Sequence, residues 1–147
     1  DWSSDVCSSN LFMRVHDAVA RACSALARRK VLYLIWRKPW MAVARDTYIS
    51  RMLALAGLDT LPAEAAARYP QITLDAALLD GVDHVLLSSE PYRFRAREMS
   101  EIEALLPPAS PCRVHLVDGE MISWYGSRAI SGVDYLAALR RTLDQAV

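Results

Sequence analysis

The stretch VLYLIWRKPWM, residues Val31–Met41, decides the fold of this chain. Its first six residues, 31–36, are apolar and rich in β-branched and aromatic types, which is typical of a strand buried on both faces of a parallel sheet. The residues Arg-Lys-Pro at 37–39 end the strand and leave Trp36 and Trp40 at its carboxyl end. Open α/β sheets bind ligands at the carboxyl ends of their strands. The stretch therefore predicts both a central strand and the position of a binding site.

The composition is that of an ordinary soluble globular domain. The chain has 147 residues, of which 53% are hydrophobic and 23% charged, and its 17 basic residues balance its 17 acidic ones. A neutral chain has no overall field that favours nucleic acid or an anionic membrane, so we expect no nucleic-acid partner. No apolar run approaches the roughly 20 residues that a membrane span needs. The three cysteines form no C-x-x-C motif and predict neither a disulfide framework nor a zinc site.

The N-terminal segment 1–12 contributes no fold information. Residues 1–10, DWSSDVCSSN, lack the basic start and apolar core of a signal peptide and resemble the translation of sequencing-adapter DNA. We interpret 1–12 as disordered and artefactual, and we expect the natural protein to continue upstream. From Met13 to Arg29, apolar residues at spacings of four, three and four predict an amphipathic helix. The predicted apolar stripe consists of Val15, Val19, Ala22 and Leu26.

Beyond the first strand, predicted helices and strands alternate. First comes a helix capped by Asp46 or Thr47 and ended by Gly57, then a surface connection over 58–71 and a short helix over 74–80 capped by Thr73. A strand over 82–88 follows, and after it a helix around 99–106 that two prolines end. The last elements are a strand over 113–117 and a final helix that begins with a capping box of Ser131 and Asp134. The final helix is expected to bury Leu139 or the stem of Arg140. Because this alternation is typical of βαβ units, we predict an α/β fold with a mostly parallel sheet flanked by helices.

The loops after the three predicted strands meet at one edge of that sheet. Apart from Trp2, every tryptophan lies at or beyond a strand end, which favours a flat, apolar recognition surface for a large ligand. The candidate ligand-binding residues on these loops are Trp36, Trp40, Glu90, Tyr92, Asp118, Trp124, Tyr125 and Arg128. An alternative is that Trp124 and Tyr125, which lie in a segment without helical or strand period, only cover the sheet edge.

Sequence signals for catalysis are weak. His16 fits a solvated helix residue, and His84 and His115 fall inside predicted strands, so neither a metal site nor a Cys-His pair is indicated. The chain has no G-x-S-x-G, no G-x-G-x-x-G and no P-loop. Glu90 and Asp118 remain open as an acid/base pair, although two carboxylates near a cleft are common. We predict no enzyme, no catalytic residue, no metal and no cofactor.

Four motifs resemble the C-terminal lobe of helical-backbone substrate-binding proteins of ABC transporters, in particular the cobalamin-binding, vitamin B12-type receptors. In order along the chain they are IWRKPWM (35–41), ARYPQITLD (67–75), SSEPYRF (88–94) and DGEMISWYGSR (118–128). The resemblance covers about residues 13–145. It is specific for the family and not for the ligand.

The resemblance implies a receptor of two Rossmann-like α/β lobes joined by one long helix, which holds a metal chelate between the lobes and delivers it to a membrane permease. On that mapping, 13–30 is the backbone helix, 31–147 is the C-terminal lobe, and the N-terminal lobe lies outside this chain. The implied ligand is cobalamin, another corrinoid, a siderophore or haem. The implied location is periplasmic or extracytoplasmic.

The resemblance also assigns roles to individual residues. It implies aromatic ligand contacts at Trp40 and Tyr69, and a third ligand-facing loop that contains Asp118, Trp124 and Tyr125. Asp75 matches the carboxylate that docks the lobe onto arginines of the permease, where the family commonly has glutamate. A helix N-terminal charge explains Asp75 equally well.

Two other interpretations remain open. One is a cytosolic flavodoxin-like enzyme or regulator that binds a small ligand at the same sheet edge. A nucleotide-binding site of that kind should have a glycine-rich strand-to-helix turn, and this chain has tryptophan, proline and tyrosine there. The other is a fragment that folds but binds nothing well, because half a cleft buries half a ligand.

Overall fold

The strand β1 (Arg29–Trp36) lies at the centre of the molecule. The structure is a computed structural model that describes residues 13–14, 16–123 and 129–145, without the side chains of 129 and 130. The residues of β1 from Val31 to Leu34 have no exposed surface. The predicted strand, buried on both faces, is therefore confirmed.

In the part of the chain that the structure describes, the sheet has five strands and is mostly parallel. On one side, β1 pairs in parallel with β4 (His84–Ser88), which pairs in parallel with β5 (Arg113–Val117). On its other side, β1 pairs in parallel with β3 (Leu58–Thr60) near its start and antiparallel with β2 (Met41–Ala42) near its end. The predicted α/β class is confirmed.

Helices cover both faces of the sheet. They are α1 (residues 13–14 and 16–24), α2 (Tyr48–Leu55), α3 (Ala76–Leu79), α4 (Ala96–Glu103), α5 (Gly119–Ser123) and α6 (Ala129–Gln145). Because successive strand residues point to opposite faces, Val31 and Tyr33 pack in the core beneath α1, α2 and α6, while Leu32 and Leu34 pack in the core beneath α3 and α4. Among the described residues, no helix combines the length and the apolar character needed to cross a membrane.

The N-terminal helix ends earlier than the sequence pattern predicted. Helix α1 ends at residue 24, and Arg29 and Lys30 already belong to β1. Among the described residues of α1, Val19 and Cys23 are buried, whereas Leu26, beyond its end, is exposed. Parallel pairing of β1 with β3, which begins at Arg29, explains why extended backbone replaces the last predicted turn.

Three predictions for the stretch from the end of α2 to β4 differ from the structure. The segment 58–71, predicted as a surface connection, contains β3, which escaped notice because three residues are too few to show a period. The short helix after it begins at Ala76, because the Asp75 carboxylate, and not Thr73, accepts the backbone N–H of Leu78 at 2.9 Å. The strand β4 begins at His84, two residues later than predicted.

The helix boundaries in the C-terminal half also differ from the predictions. Helix α4 spans Ala96–Glu103 and ends before the predicted proline stop. Helix α6 begins at residue 129, so Ser131 and Asp134 lie inside it and form no capping box. The segment after β5, predicted to have no helical period, contains α5, because the Asp118 carboxylate accepts the backbone N–H groups of the first turn.

Arg140 is buried more completely than the prediction of a buried stem implied, since only 2% of its surface is exposed. Its guanidinium donates to the backbone oxygens of Ala56, Gly57 and Ala27, and it pairs with Asp144 at 3.0 Å. Through these hydrogen bonds, Arg140 connects α6 to the turn after α2 and to the segment between α1 and β1. The ion pair with Asp144 compensates the charge of the buried guanidinium.

Candidate functional site

An open cavity of about 750 Å³ lies at the carboxyl end of the sheet. Its lining comes from the ends of β1 and β4, from β2, α2 and α5, and from the segment before α3. The lining residues are Tyr33, Ile35, Trp36, Met41, Ile49, Tyr69, Ser88, Glu90, Pro91, Gly119 and Ser123. Three of the candidate binding residues, Trp36, Tyr69 and Glu90, thus line the same cavity.

The floor of the cavity is polar and buried. The Tyr33 hydroxyl donates to Ser88 Oγ at 3.2 Å, and Ser88 Oγ donates to the backbone oxygen of Glu90 at 2.7 Å. Gly119 lies against this pair, since a Cβ at that position would stand 2.1 Å from Ser88 Oγ. Burial raises the pKa of the Tyr33 hydroxyl, and the carboxylates of Asp118 and Glu90 raise it further. Tyr33 is therefore a neutral donor at physiological pH.

The walls of the cavity are apolar and carry two open aromatic rings. Trp36 is 39% exposed and Tyr69 is 46% exposed. The Trp36 ring meets Tyr92 edge to face, with ring centroids 5.8 Å apart. Large aromatic side chains that remain exposed beside a concave apolar surface are typical of recognition sites.

Trp40 does not line this cavity. Its ring stacks on Phe94 with centroids 6.2 Å apart and planes 4° from parallel, and the Arg37 guanidinium lies 5.8 Å from its ring centre. Tyr92 lies against both Trp36 and Phe94. Trp40 and Tyr92 therefore pack against the core beneath α3 and α4. Tyr92 also contacts the Trp36 ring and so connects that ring to the core.

Asp118 is exposed but its polar groups are engaged. Its carboxylate accepts the backbone N–H groups of Glu120 and Met121 at 3.0 and 3.2 Å, and its own N–H donates to the Tyr135 hydroxyl at 2.9 Å. A helix-capping role accounts for these contacts, so the proposed acid/base pair of Asp118 with Glu90 gains no support. Trp124, Tyr125 and Arg128 lie outside the described residues, as does the segment 1–12.

Asp75, the candidate docking residue, is exposed at the start of α3. Its carboxylate accepts the Leu78 N–H, so it is the N-cap of that helix. The segment before it is held to the turn between β1 and β2, because the Ile72 N–H donates to the Trp40 backbone oxygen at 3.0 Å. Asp75 therefore lies three residues after a backbone hydrogen bond that fixes the segment before α3.

The sequence analysis missed several cavity residues. Tyr33 was assigned only to the buried strand, although its hydroxyl reaches the cavity floor. Met41, Ile49 and Ser88 were assigned to a loop, a helix and a strand without any binding role. A serine as the last residue of a buried strand was the one available signal, because burial demands a hydrogen-bond partner for its hydroxyl.

The two histidines predicted to fall inside strands, His84 and His115, contact each other. His84 Nδ1 lies 3.1 Å from His115 Nε2 between the adjacent strands β4 and β5. His84 is fully buried, and burial, reinforced by His115, lowers its pKa to about 4. Within the part of the chain that the structure describes, no three His, Cys, Asp or Glu side chains are placed to hold a metal ion together.

Comparison with known proteins identifies the fold. No family model matches the chain, and no curated protein matches it. The solved structures that share its fold include the periplasmic vitamin B12 binding protein BtuF of Vibrio cholerae, with a TM-score of 0.64, 11% identity, and coverage of 90% of this chain and 52% of that one. A periplasmic heme-binding protein, BhuT, in complex with two hemes, matches with a TM-score of 0.69, 20% identity, and coverage of 96% and 55%.

A third structure with this fold is the siderophore periplasmic binding protein from the fuscachelin gene cluster of Thermobifida fusca. It matches with a TM-score of 0.65, 10% identity, and coverage of 97% of this chain and 54% of that one. The chain therefore spans about half the length of each of these proteins. At these identities the likeness establishes the fold, which is that of one lobe of a periplasmic binding protein.

Proposed function

We propose that this chain is the C-terminal lobe of the solute-binding component of an ABC importer. In this proposal it captures a metal chelate, such as cobalamin, another corrinoid, a siderophore or haem, between two lobes and delivers it to a permease. The observation that carries the proposal is the apolar cavity at the carboxyl end of the sheet, flanked by the exposed rings of Trp36 and Tyr69. The fold supports it, because the chain is similar to structures of periplasmic binding proteins whose names specify vitamin B12, heme or siderophore.

The chemistry of the cavity suits a broad and flat ligand. A macrocycle presents an apolar rim, and rigid rings such as Trp36 and Tyr69 pack against such a rim at low entropic cost. The buried hydroxyls of Tyr33 and Ser88 offer polar contacts at the floor. Capture and release need no bond to be made or broken, so the proposed role is that of a binding protein and not of an enzyme.

The cellular setting follows from this role. The proposed partner is the permease of an ABC transporter, and the proposed location is periplasmic or extracytoplasmic. Asp75 is proposed to contact the permease, since it is exposed at the tip of α3. Trp40, Tyr92, Asp118, Trp124, Tyr125 and Arg128 remain proposed contributors to the ligand surface.

A flavodoxin-like nucleotide or phosphate site is the less favoured alternative. Such sites use free backbone N–H groups at a helix N-terminus to hold an anion. Here the first N–H groups of α5, the helix beside the cavity, are all engaged: Gly119 donates to Ser89 Oγ at 3.0 Å, and Glu120 and Met121 donate to Asp118. This helix has no free donors for a phosphate.

The proposal is tested by calorimetric titration of cyanocobalamin, haem and ferric siderophores into the whole gene product that contains this chain. We expect one of these chelates to bind, and we expect Trp36→Ala and Tyr69→Ala each to weaken its affinity about tenfold or more, because each removes an open ring from the cavity wall. Trp40→Ala tests the contact implied by the resemblance, since Trp40 packs on Phe94 outside the cavity. Failure of every chelate to bind would contradict the proposed function.

A further inference from the structure

The only charged side chain among the described lining residues of the cavity is Glu90. It is exposed, and in the described part of the chain its carboxylate accepts no hydrogen bond and forms no ion pair; only its backbone groups bond, to Ser88 Oγ. A carboxylate without a cationic partner keeps its full negative charge available to a ligand. The described lining contains no lysine or arginine to offset it.

A second carboxylate strengthens this negative field. Asp118 and Glu90 both act on the Tyr33 hydroxyl at the cavity floor and raise its pKa. Glu90 comes after β4 and Asp118 comes directly after β5, so both exposed carboxylates lie at the cavity end of the sheet. An anionic group in the cavity would meet this negative charge with no cationic side chain in the described lining to offset it.

The two arginines next in sequence to the lining aromatics, Arg37 and Arg68, are engaged elsewhere. Arg37, which follows Trp36, forms an ion pair with Glu101 at 2.8 Å. Arg68, which precedes Tyr69, donates to the backbone oxygen of Asp46 at 3.0 Å. The first-turn N–H groups of α5 are occupied by Asp118 and Ser89. The two arginines that flank the lining rings and the first N–H groups of α5 are thus already bonded, and the described lining itself contains no cationic side chain.

We infer that this cavity selects its ligand by charge, accepting a neutral or cationic face of a metal chelate and discriminating against a carboxylate on the buried face. The inference rests on the proposed function and deepens it by naming the ligand class. Chelates whose buried face carries amides, alcohols or amines fit this lobe. A chelate that must insert a free carboxylate here binds less tightly.

The test compares cyanocobalamin with its monocarboxylates, in which one side-chain amide is hydrolysed to the acid. Each acid has almost the same shape as the parent and one additional negative charge. If cyanocobalamin does not bind and haem does, haem is compared with its dimethyl ester. For the whole gene product at low salt, we expect at least one anionic ligand of the set to bind about tenfold more weakly than its neutral counterpart. The ratio of the neutral to the anionic affinity should decrease as salt is added, because salt screens the repulsion.

Glu90→Gln is the decisive variant, because it removes the charge and keeps the shape. We expect it to reduce the ratio of neutral to anionic affinity to about twofold. Glu103→Gln is the matched control, since Glu103 is exposed on α4 and lines no part of this cavity; it should leave the ratio unchanged. Equal affinities for the neutral and anionic ligands, or a ratio insensitive to Glu90→Gln, would overturn the inference while the proposed function stands. Absence of binding by every chelate would overturn the proposed function itself.

Discussion

A missing Cβ at Gly119 lets the ends of β4 and β5 meet at the cavity floor. A Cβ there would lie 2.1 Å from Ser88 Oγ and 3.3 Å from the Tyr33 hydroxyl, with the Glu90 backbone nitrogen at 3.4 Å. The nearest of these distances is far below contact distance, so any side chain must displace the buried Tyr33–Ser88 pair. Glycine is required here by close approach and not by an unusual backbone angle.

We therefore predict that Gly119→Ala lowers the free energy of unfolding by about 1–3 kcal/mol, the usual range for overpacking a buried site, and weakens chelate binding. Gly81→Ala is the matched control, because a Cβ at Gly81 meets nothing within 4 Å. Its unfolding free energy should change by less than about 0.5 kcal/mol. Urea unfolding followed by tryptophan fluorescence measures both, and equal midpoints for the two variants would contradict the close approach.

At the scale of elements, the pairing of β4 with β5 creates the contact between His84 and His115. The Nε2 atom of His84 is buried without a hydrogen-bond partner among the described residues. Charged groups that act on the pair are Asp83 and Arg29 beside the strand starts, Asp144 on α6, and Arg113 on β5. Burial outweighs the two carboxylates, because the pKa values of both histidines are lowered.

This pair predicts a loss of stability in mild acid. An unfolded histidine binds a proton near pH 6.5, whereas folded His84 resists protonation until about pH 4. The unfolded state therefore binds more protons between these values, and the free energy of unfolding falls as the pH drops through that window. We expect a loss on the order of 2 kcal/mol, since one pKa unit corresponds to about 1.4 kcal/mol.

The measurement compares urea unfolding of the wild type and His84→Gln at pH 7.5 and pH 4.5. Carboxylates elsewhere contribute similarly to both proteins, so the difference between their pH dependences reports the histidine pair. We expect the variant to lose less stability on acidification than the wild type. Identical pH dependences would show that the pair does not control acid stability.

At the scale of the whole molecule, the cavity is open and presents one wall of the proposed binding site. The chain spans about half the length of the binding proteins that share its fold, 52% in the vitamin B12 binding protein and 54% in the siderophore binding protein. A second lobe over the cavity would cover the face of the ligand that this lobe leaves exposed. In the proposed importer, recognition by the permease then depends on groups at the lobe tip as well as on the ligand.

Asp75 allows docking to be separated from folding. Asp75→Ser removes the charge but keeps a side chain that caps helices, whereas Asp75→Ala removes both and should cost α3 about 1 kcal/mol. If Asp75 docks onto the permease, both variants lose stimulation of permease ATP hydrolysis while chelate affinity is retained. Asp80→Asn, an exposed acid at the other end of α3, is the control. Full stimulation by Asp75→Ser would assign this carboxylate to helix capping alone.

Local pattern was sufficient for the main elements of the fold. The apolar run of β1, the β5 segment and the capped α2 were predicted because hydrophobic period and capping residues act over a few neighbours. Their alternation predicted the parallel sheet, and a parallel sheet gathers its loops at one edge. Trp36 and Glu90 could be predicted to lie at this edge because Trp36 ends β1 and Glu90 lies two residues beyond the end of β4.

The sequence by itself thus determined the α/β class, the central strand and the edge at which the cavity lies. Only the tertiary structure decided that Tyr33 and Ser88 form the floor, that Trp40 turns away to stack on Phe94, and that two histidines meet across β4 and β5. These contacts join residues far apart in the chain, and they are set by strand register and side-chain packing. Strand register and side-chain packing produce no periodic pattern in the sequence, because both depend on which residue of another element lies opposite.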